Sequence, residues 1–222
     1  KIFGDNTSTP AGEHLLYYQE TVTNGTRIST NWTAPPLTND SDTQILFHFD
    51  NQSLFGESDT NVFDFSGSSS NFNGTPEDGA QVNYTNEILA GAFSFDGNGD
   101  AILTNCRFAC YQNRNATFIG WTRTWNVTGG VALVSASANG AANGFAFGRN
   151  NGNDFLVVGE GTGPLATNVF TVGEWLHFAV RTYENRTADI FINGTLLATD
   201  QLGVISDLTG SDVDFYIGLL YE

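Results

Sequence analysis

Basic residues are scarce in this chain. Lys and Arg total 8 against 24 Asp plus Glu in 222 residues, Lys1 is the only lysine, and the formal net charge is −16. The acid count is ordinary, so the imbalance comes from missing bases and not from the carboxylate excess of a salt-adapted protein. Without a basic patch the counterion release that drives nucleic-acid binding is absent, and an anionic membrane surface is disfavoured for the same reason. Long apolar runs are missing too, and none approaches the ~20 residues that a helix needs to cross a bilayer. Methionine is absent and the first residue is Lys, from which we expect a mature chain whose secretion signal has been removed.

Cysteine is nearly absent. Cys106 and Cys110 stand four apart in CRFAC. Two thiols do not make a zinc site, which wants four ligands. An oxidising compartment favours a local disulfide over free thiols. Closing it requires the backbone to turn, because a strand would hold the two Cα atoms about 13 Å apart.

Neutral polar residues take the place of charge. Gly, Asn, Ser, Thr and Gln make up about two-fifths of the chain, a composition bias that carries information. Asn-x-Ser/Thr sequons occur at Asn6, Asn24, Asn31, Asn39, Asn51, Asn73, Asn83, Asn115, Asn126, Asn185 and Asn193. Chance placement at this composition gives about four. The excess predicts an N-glycosylated protein that is extracellular or at the cell surface.

Apolar residues alternate with a period of two. Strands are expected near 15–22, 44–50, 91–96, 99–104, 116–125, 130–136, 144–149, 153–159, 174–182, 188–192, 195–199 and 213–220, between clusters of Gly, Asn, Ser and Asp. Asn193–Gly194 reads as a type I′ hairpin turn, and about one helical turn is permitted around Cys106–Gln112. Residues 1–43 hold Pro10, Pro35 and Pro36 and four of the sequons. We read them as an extension with one strand-like segment, 14–22, and a linker, ahead of a compact domain at 44–222.

Four segments, in order, resemble the concanavalin A-like sandwich of laminin-G-like domains found in bacterial and archaeal surface proteins. These are ILFHFDNQS with VFDFSGSSSNFNGT, then LAGAFSFDGNGDAI, then ATFIGWTRTW, and finally VGEWLHFAVRTYENRTADIFINGTLLAT. The last two carry Trp121, Trp175, His177, Asn193 and Gly194 at positions matching the family pattern. The resemblance implies an all-β fold, a two-sheet antiparallel jelly-roll sandwich, with an N-terminal strand-bearing extension, from a prokaryotic, archaeal surface protein. It implies core positions for Trp121 and Trp175, and a structural one for His177.

In the family a further strand follows the one matched by FYIGLLYE, and the sequence here stops at Glu222. The resemblance thus implies a vacant slot beside the strand at 44–50, an edge that invites pairing. Residues Leu15, Leu16, Tyr17, Tyr18 and Val22 of the extension supply a candidate donor strand. It folds back on its own domain or enters a second copy, and the latter builds a homopolymeric filament.

Catalysis is not expected. Glucanases of this fold carry alternating acids, E-x-D-x-x-E, that set two carboxylates about 5–5.5 Å apart, and no such string occurs. Asp212–Val213–Asp214 lacks the third acid. No G-x-S-x-G elbow exists, and His14, His48 and His177 share no motif. No cofactor is expected. Asp96 and Asp100 are calcium candidates, since Asp96–Gly97–Asn98–Gly99–Asp100 opens like a calcium loop, but Ala101 and Arg107 then depart from it. The cluster Asn150–Asp154 reads as a turn. A carbohydrate ligand is the alternative role and needs an aromatic platform, for which the tryptophans Trp32, Trp121, Trp125 and Trp175 are the candidates.

Overall fold

The computed structural model describes residues 21–23, 26–28, 42–49, 53, 56–67, 71–83, 91–106, 115–126, 128–136, 145–150, 152–159, 163–203 and 214–218. In chain order its strands are β1 (Thr21–Thr23), β2 (Thr26–Ile28), β3 (Gly74–Glu77), β4 (Gln81–Asn83) and β5 (Ala92–Ser94). Next come β6 (Ala101–Thr104), β7 (Ala116–Arg123), β8 (Val131–Ala136), β9 (Phe145–Arg149) and β10 (Phe155–Gly159). The last are β11 (Leu165–Ala166), β12 (Trp175–Thr182), β13 (Thr187–Ile192), β14 (Thr195–Gln201) and β15 (Phe215–Ile217). No α-helix occurs among the described residues.

Two antiparallel sheets make the sandwich. One has seven strands in the order β11-β10-β9-β8-β15-β6-β3, the other four in the order β14-β13-β12-β7. Their inner faces meet in one aromatic-rich core. Phe145, Phe147, Phe155, Val157 and Phe215 of the larger sheet pack with Leu176, Phe178, Val180, Ala188 and Ile190 of the smaller. Phe147 contacts rings on both sides, with centroids 6.1 Å from Phe155, 5.7 Å from Phe178 and 5.2 Å from Phe118. The all-β sandwich expected from the period-two pattern is therefore present.

The hairpin turn reads as expected. Asn193 and Gly194 have φ of 50° and 80°, both left-handed, which a type I′ turn between right-twisted strands requires.

The strand expected at 44–50 is not formed in its described part. There the backbone bonds to a loop: the Leu46 amide donates to Asp64 Oδ1 at 3.0 Å, and the Phe65 amide donates to the Leu46 carbonyl at 2.8 Å. Phe49 takes φ of 60°, outside the strand region. Asp64 is the physical reason. Its buried carboxylate also accepts from the Ser66 amide, the Ser66 hydroxyl and the Phe72 amide, so a side chain supplies what a neighbouring strand would have offered.

In the extension, Val22 lies in β1 and pairs with Arg27 of β2. The stretch read as linker thus contains a strand. Leu15, Leu16, Tyr17 and Tyr18 lie outside the described residues.

Candidate functional site

Strands β7 and β12 pair over their full length, from Trp175 opposite Arg123 to Thr182 opposite Ala116. Alternation then sorts their side chains. Phe118 on β7 faces the core, with Leu176, Phe178 and Val180 on β12. Gly120 leaves room for the Phe178 ring, since a Cβ there would lie 2.9 Å from Phe178 Cζ. Thr117, Ile119, Trp121 and Arg123 are left for the outer face, beside Trp175, His177, Ala179 and Arg181.

That outer face carries exposed apolar side chains where a solvated sheet is ordinarily polar. Among the described residues, five of the seven exposed large hydrophobic side chains sit on this sheet or just after β7: Ile119, Trp121, Trp125, Leu196 and Leu197. Trp121 is 53% exposed. It meets the imidazole of its cross-strand partner His177 edge to face, with centroids 5.0 Å apart at 64°. The Arg123 guanidinium lies 4.3 Å from the centroid of the Trp125 ring, a cation–π geometry.

At the other end of the face a closed polar cluster holds the sheet. Asp189 Oδ2 accepts from Arg181 Nη2 at 2.7 Å and from the Tyr183 hydroxyl at 2.7 Å, and Oδ1 accepts from Thr199 at 2.8 Å. Burial pushes the Asp189 carboxyl up, but the hydrogen bonds from Tyr183, Arg181 and Thr199 outweigh it and hold the group below its ordinary 3.8. The bond to Asp189 in turn raises Arg181 above its usual value. Both carboxylate oxygens of Asp189 are engaged. The cluster is a brace, and the exposed apolar side chains lie at the aromatic end of the face.

The structure sorts the tryptophans expected from the sequence. Trp121 is exposed, contrary to the core role that the family resemblance implied, because Phe118 three residues earlier already takes the inward side. Trp175 is half-buried in the same outward row, and Trp125 is exposed. Trp32 lies outside the described residues. His177 is tied through its main chain, its amide donating to Asn193 Oδ1 at 3.1 Å and its carbonyl accepting from the Asn193 amide at 2.9 Å. Cys106 is buried and disulfide-bonded; Cys110, the chain's other cysteine, lies outside the described residues. Asp96 and Asp100 close one turn, the Asp96 amide donating to Asp100 Oδ2 at 2.7 Å. Asn150 and Asp154 are linked as a turn.

Of the sequons, Asn115, Asn126, Asn185 and Asn193 are exposed, and Asn73 and Asn83 are half-buried. Asn6, Asn24, Asn31, Asn39 and Asn51 lie outside the described residues. At Asn115, Asn185 and Asn193 the side-chain oxygen accepts a main-chain bond. No group of three or more His, Cys, Asp or Glu converges to hold a metal among the described residues, and no described helix is long and apolar enough to cross a membrane.

Two antiparallel sheets packed face to face over one core define an all-β sandwich. The chain belongs to the concanavalin A-like lectin/glucanases superfamily, whose laminin-G-like family model matches residues 96–221. No match was found among curated proteins. Among solved structures the chain is similar to the binding domain of botulinum neurotoxin serotype C1, at 14% identity and a TM-score of 0.51, over 74% of this chain and 42% of that one. It is similar to the serotype D binding domain at 16% identity and a TM-score of 0.50, over 71% and 40%. A further receptor binding domain aligns at 14% identity and 0.50, over 78% and 46%. The chain thus spans less than half the length of each structure, and the likeness is one of fold.

Proposed function

We propose that this chain is a non-catalytic carbohydrate-binding or adhesion module, secreted and N-glycosylated, that holds sugar on the outer face of the β7–β12 pair. The observation that carries the reading is the exposed Trp121 beside His177. An indole face accepts the C–H-bearing side of a pyranose ring, and hydrogen-bonding groups around it fix orientation. His177 and Arg123 are the nearest such groups on the face. Membership of a superfamily that includes lectins supports the reading, as does the recurrence of the fold in binding domains of neurotoxins. A glycan array with the full chain, followed by calorimetry on the best ligand, tests it. Trp121→Ala should abolish binding while leaving the fold intact, and an array with no specific ligand contradicts it.

A second reading is self-assembly by strand donation, at an edge other than the one expected beside 44–50, whose described part forms no strand. Strand β7 terminates the four-stranded sheet among the described residues, and an eight-residue end strand is a template for strand addition. The segment 14–22 has the length and β-propensity of a donor for a second copy. Deleting residues 1–23 and imaging the secreted product tests it: filaments that need the segment favour assembly, and filaments that persist without it count against donation. Occupancy of the sequons is read by the mass shift on enzymatic deglycosylation, and an unshifted secreted chain contradicts glycosylation.

A further inference from the structure

The residue that ends β13 shares a cross-strand row with the aromatic pair. In the ladders Trp121 stands opposite His177 and Ile192 opposite Phe178, which brings Asn193 beside His177. There the Asn193 amide donates to the His177 carbonyl at 2.9 Å, and the His177 amide donates to Asn193 Oδ1 at 3.1 Å. Trp121, His177 and Asn193 thus follow one another across three neighbouring strands, a span of about 10 Å at the usual strand spacing. The row alongside is apolar across all four strands. Ile119, Ala179, Phe191 and Leu196 stand in register, and Ile119 and Leu196 are exposed.

Asn193 is exposed and opens the sequon Asn193–Gly194–Thr195. Its glycosylation joins Nδ2 to the anomeric carbon of a phosphate-activated glycosyl donor; the nitrogen loses one proton, and the phosphate leaves with the C–O electron pair. Oδ1 takes no part. The bond from the His177 amide therefore survives the modification and keeps the attachment point against β12.

We infer that the glycan on Asn193 lies back across His177 and packs on Trp121 and the apolar row beside it, so that the sugar first held by this face is the chain's own. The inference rests on the reading of Trp121 as a sugar platform. An indole face suits the C–H side of a pyranose, and a short flexible tether presents its sugar at an effective concentration of about mM. Covalent sugar thereby covers side chains that would otherwise meet water, and a free glycan must displace it in order to bind.

The test compares the secreted full chain with three variants. Thr195→Ala removes this sequon and keeps Asn193 in its turn, Thr195→Ser retains the sequon, and Thr128→Ala removes the sequon at Asn126 instead. Glycopeptide mass reads occupancy at each site. Hydroxyl-radical footprinting, resolved for each tryptophan by peptide mass, should find Trp121 several-fold more reactive in Thr195→Ala than in the parent and unchanged in the other two. A contact the size of an aromatic pair moves Tm of a chain this long by roughly 2–4 °C. Thr195→Ala should show that fall, and it should vanish when Trp121→Ala is already present. Added glycan should bind Thr195→Ala several-fold more tightly than the parent. An unmodified Asn193 overturns the inference, as does a Trp121 equally reactive in the parent and Thr195→Ala. If such a chain still binds added glycan through Trp121, the platform stands and only the packing of the chain's own sugar fails; if it binds none, both fail. Shielding of Trp121 by the Asn193 glycan with no added glycan bound supports this inference and counts against an external ligand.

Discussion

Truncating Phe147 to alanine removes the ring that links the two sheets. Phe147 is 1% exposed and its ring neighbours belong to both layers: Phe145 and Phe155 on the larger, Phe118 and Phe178 on the smaller. Four surrounding rings cannot collapse into the void without leaving their own packed positions, so the cost belongs in the range of about 3–5 kcal/mol for buried Phe→Ala changes. For a chain of this size each kcal/mol moves Tm by about 2–4 °C, which gives a fall of roughly 6–20 °C. Total stability is typically about 5–15 kcal/mol, so the variant sits near the edge of folding. Phe147→Leu, which keeps most of the volume, serves as the milder partner. Ile119→Thr, on a residue 67% exposed and still β-branched, should change stability by no more than about 0.5 kcal/mol. Urea unfolding followed by tryptophan fluorescence gives all three values. If Phe147→Ala costs less than Ile119→Thr, the assignment of inner and outer faces is wrong.

Two further perturbations probe the binding face and its brace. Gly120→Ala pushes a methyl against the Phe178 ring and should cost about 1–3 kcal/mol; adding Phe178→Leu should recover part of the loss, and strictly additive costs would show that the two residues do not touch. Asp189 titrates lower in the folded chain than its ordinary 3.8, so its contribution to stability is present above that pH and fades as pH falls through the lower folded value. Relative to Asp189→Asn, the parent protein should therefore lose stability faster below about pH 4, measured as Tm against pH; parallel acid limbs would refute the brace.

Much of the sandwich was legible in the chain because burial and alternation agree. On β12 the residues Leu176, Phe178, Val180 and Thr182 are buried in strict alternation, and Asn193–Gly194 fixes the turn that follows β13. The 44–50 segment misled because its apolar alternation is genuine. What decided it was a carboxylate 18 residues downstream, which satisfies the Leu46 amide and leaves no trace in local pattern. Strand β3, with Pro76 inside it, lacks the usual strand composition, and its place at the end of the larger sheet is a product of tertiary pairing.

The orientation of Trp121 was available but was overridden by family likeness. Phe118 and Trp121 stand three apart on one strand, so they face opposite sides, and only one of them can lie in the core. The large cavity-filling partner was Phe178 across from Gly120, which favours Phe118 as the inward residue. The meeting of two turns at the end of the β3–β6 ladder was hidden for a different reason. Periodicity reports which face a residue takes, and it does not report which turns a ladder brings together.

Sugar recognition by the outer face is probed head-on by titrating the full chain with glycans, comparing the parent protein with Trp121→Ala and with the core-neutral Ile119→Thr. The expected result is saturable binding of a sugar by the parent, its loss in Trp121→Ala at unchanged secondary structure, and its weakening in Ile119→Thr. Sugar binding that is indifferent to Trp121, or no binding by any of the three, contradicts a role for that face.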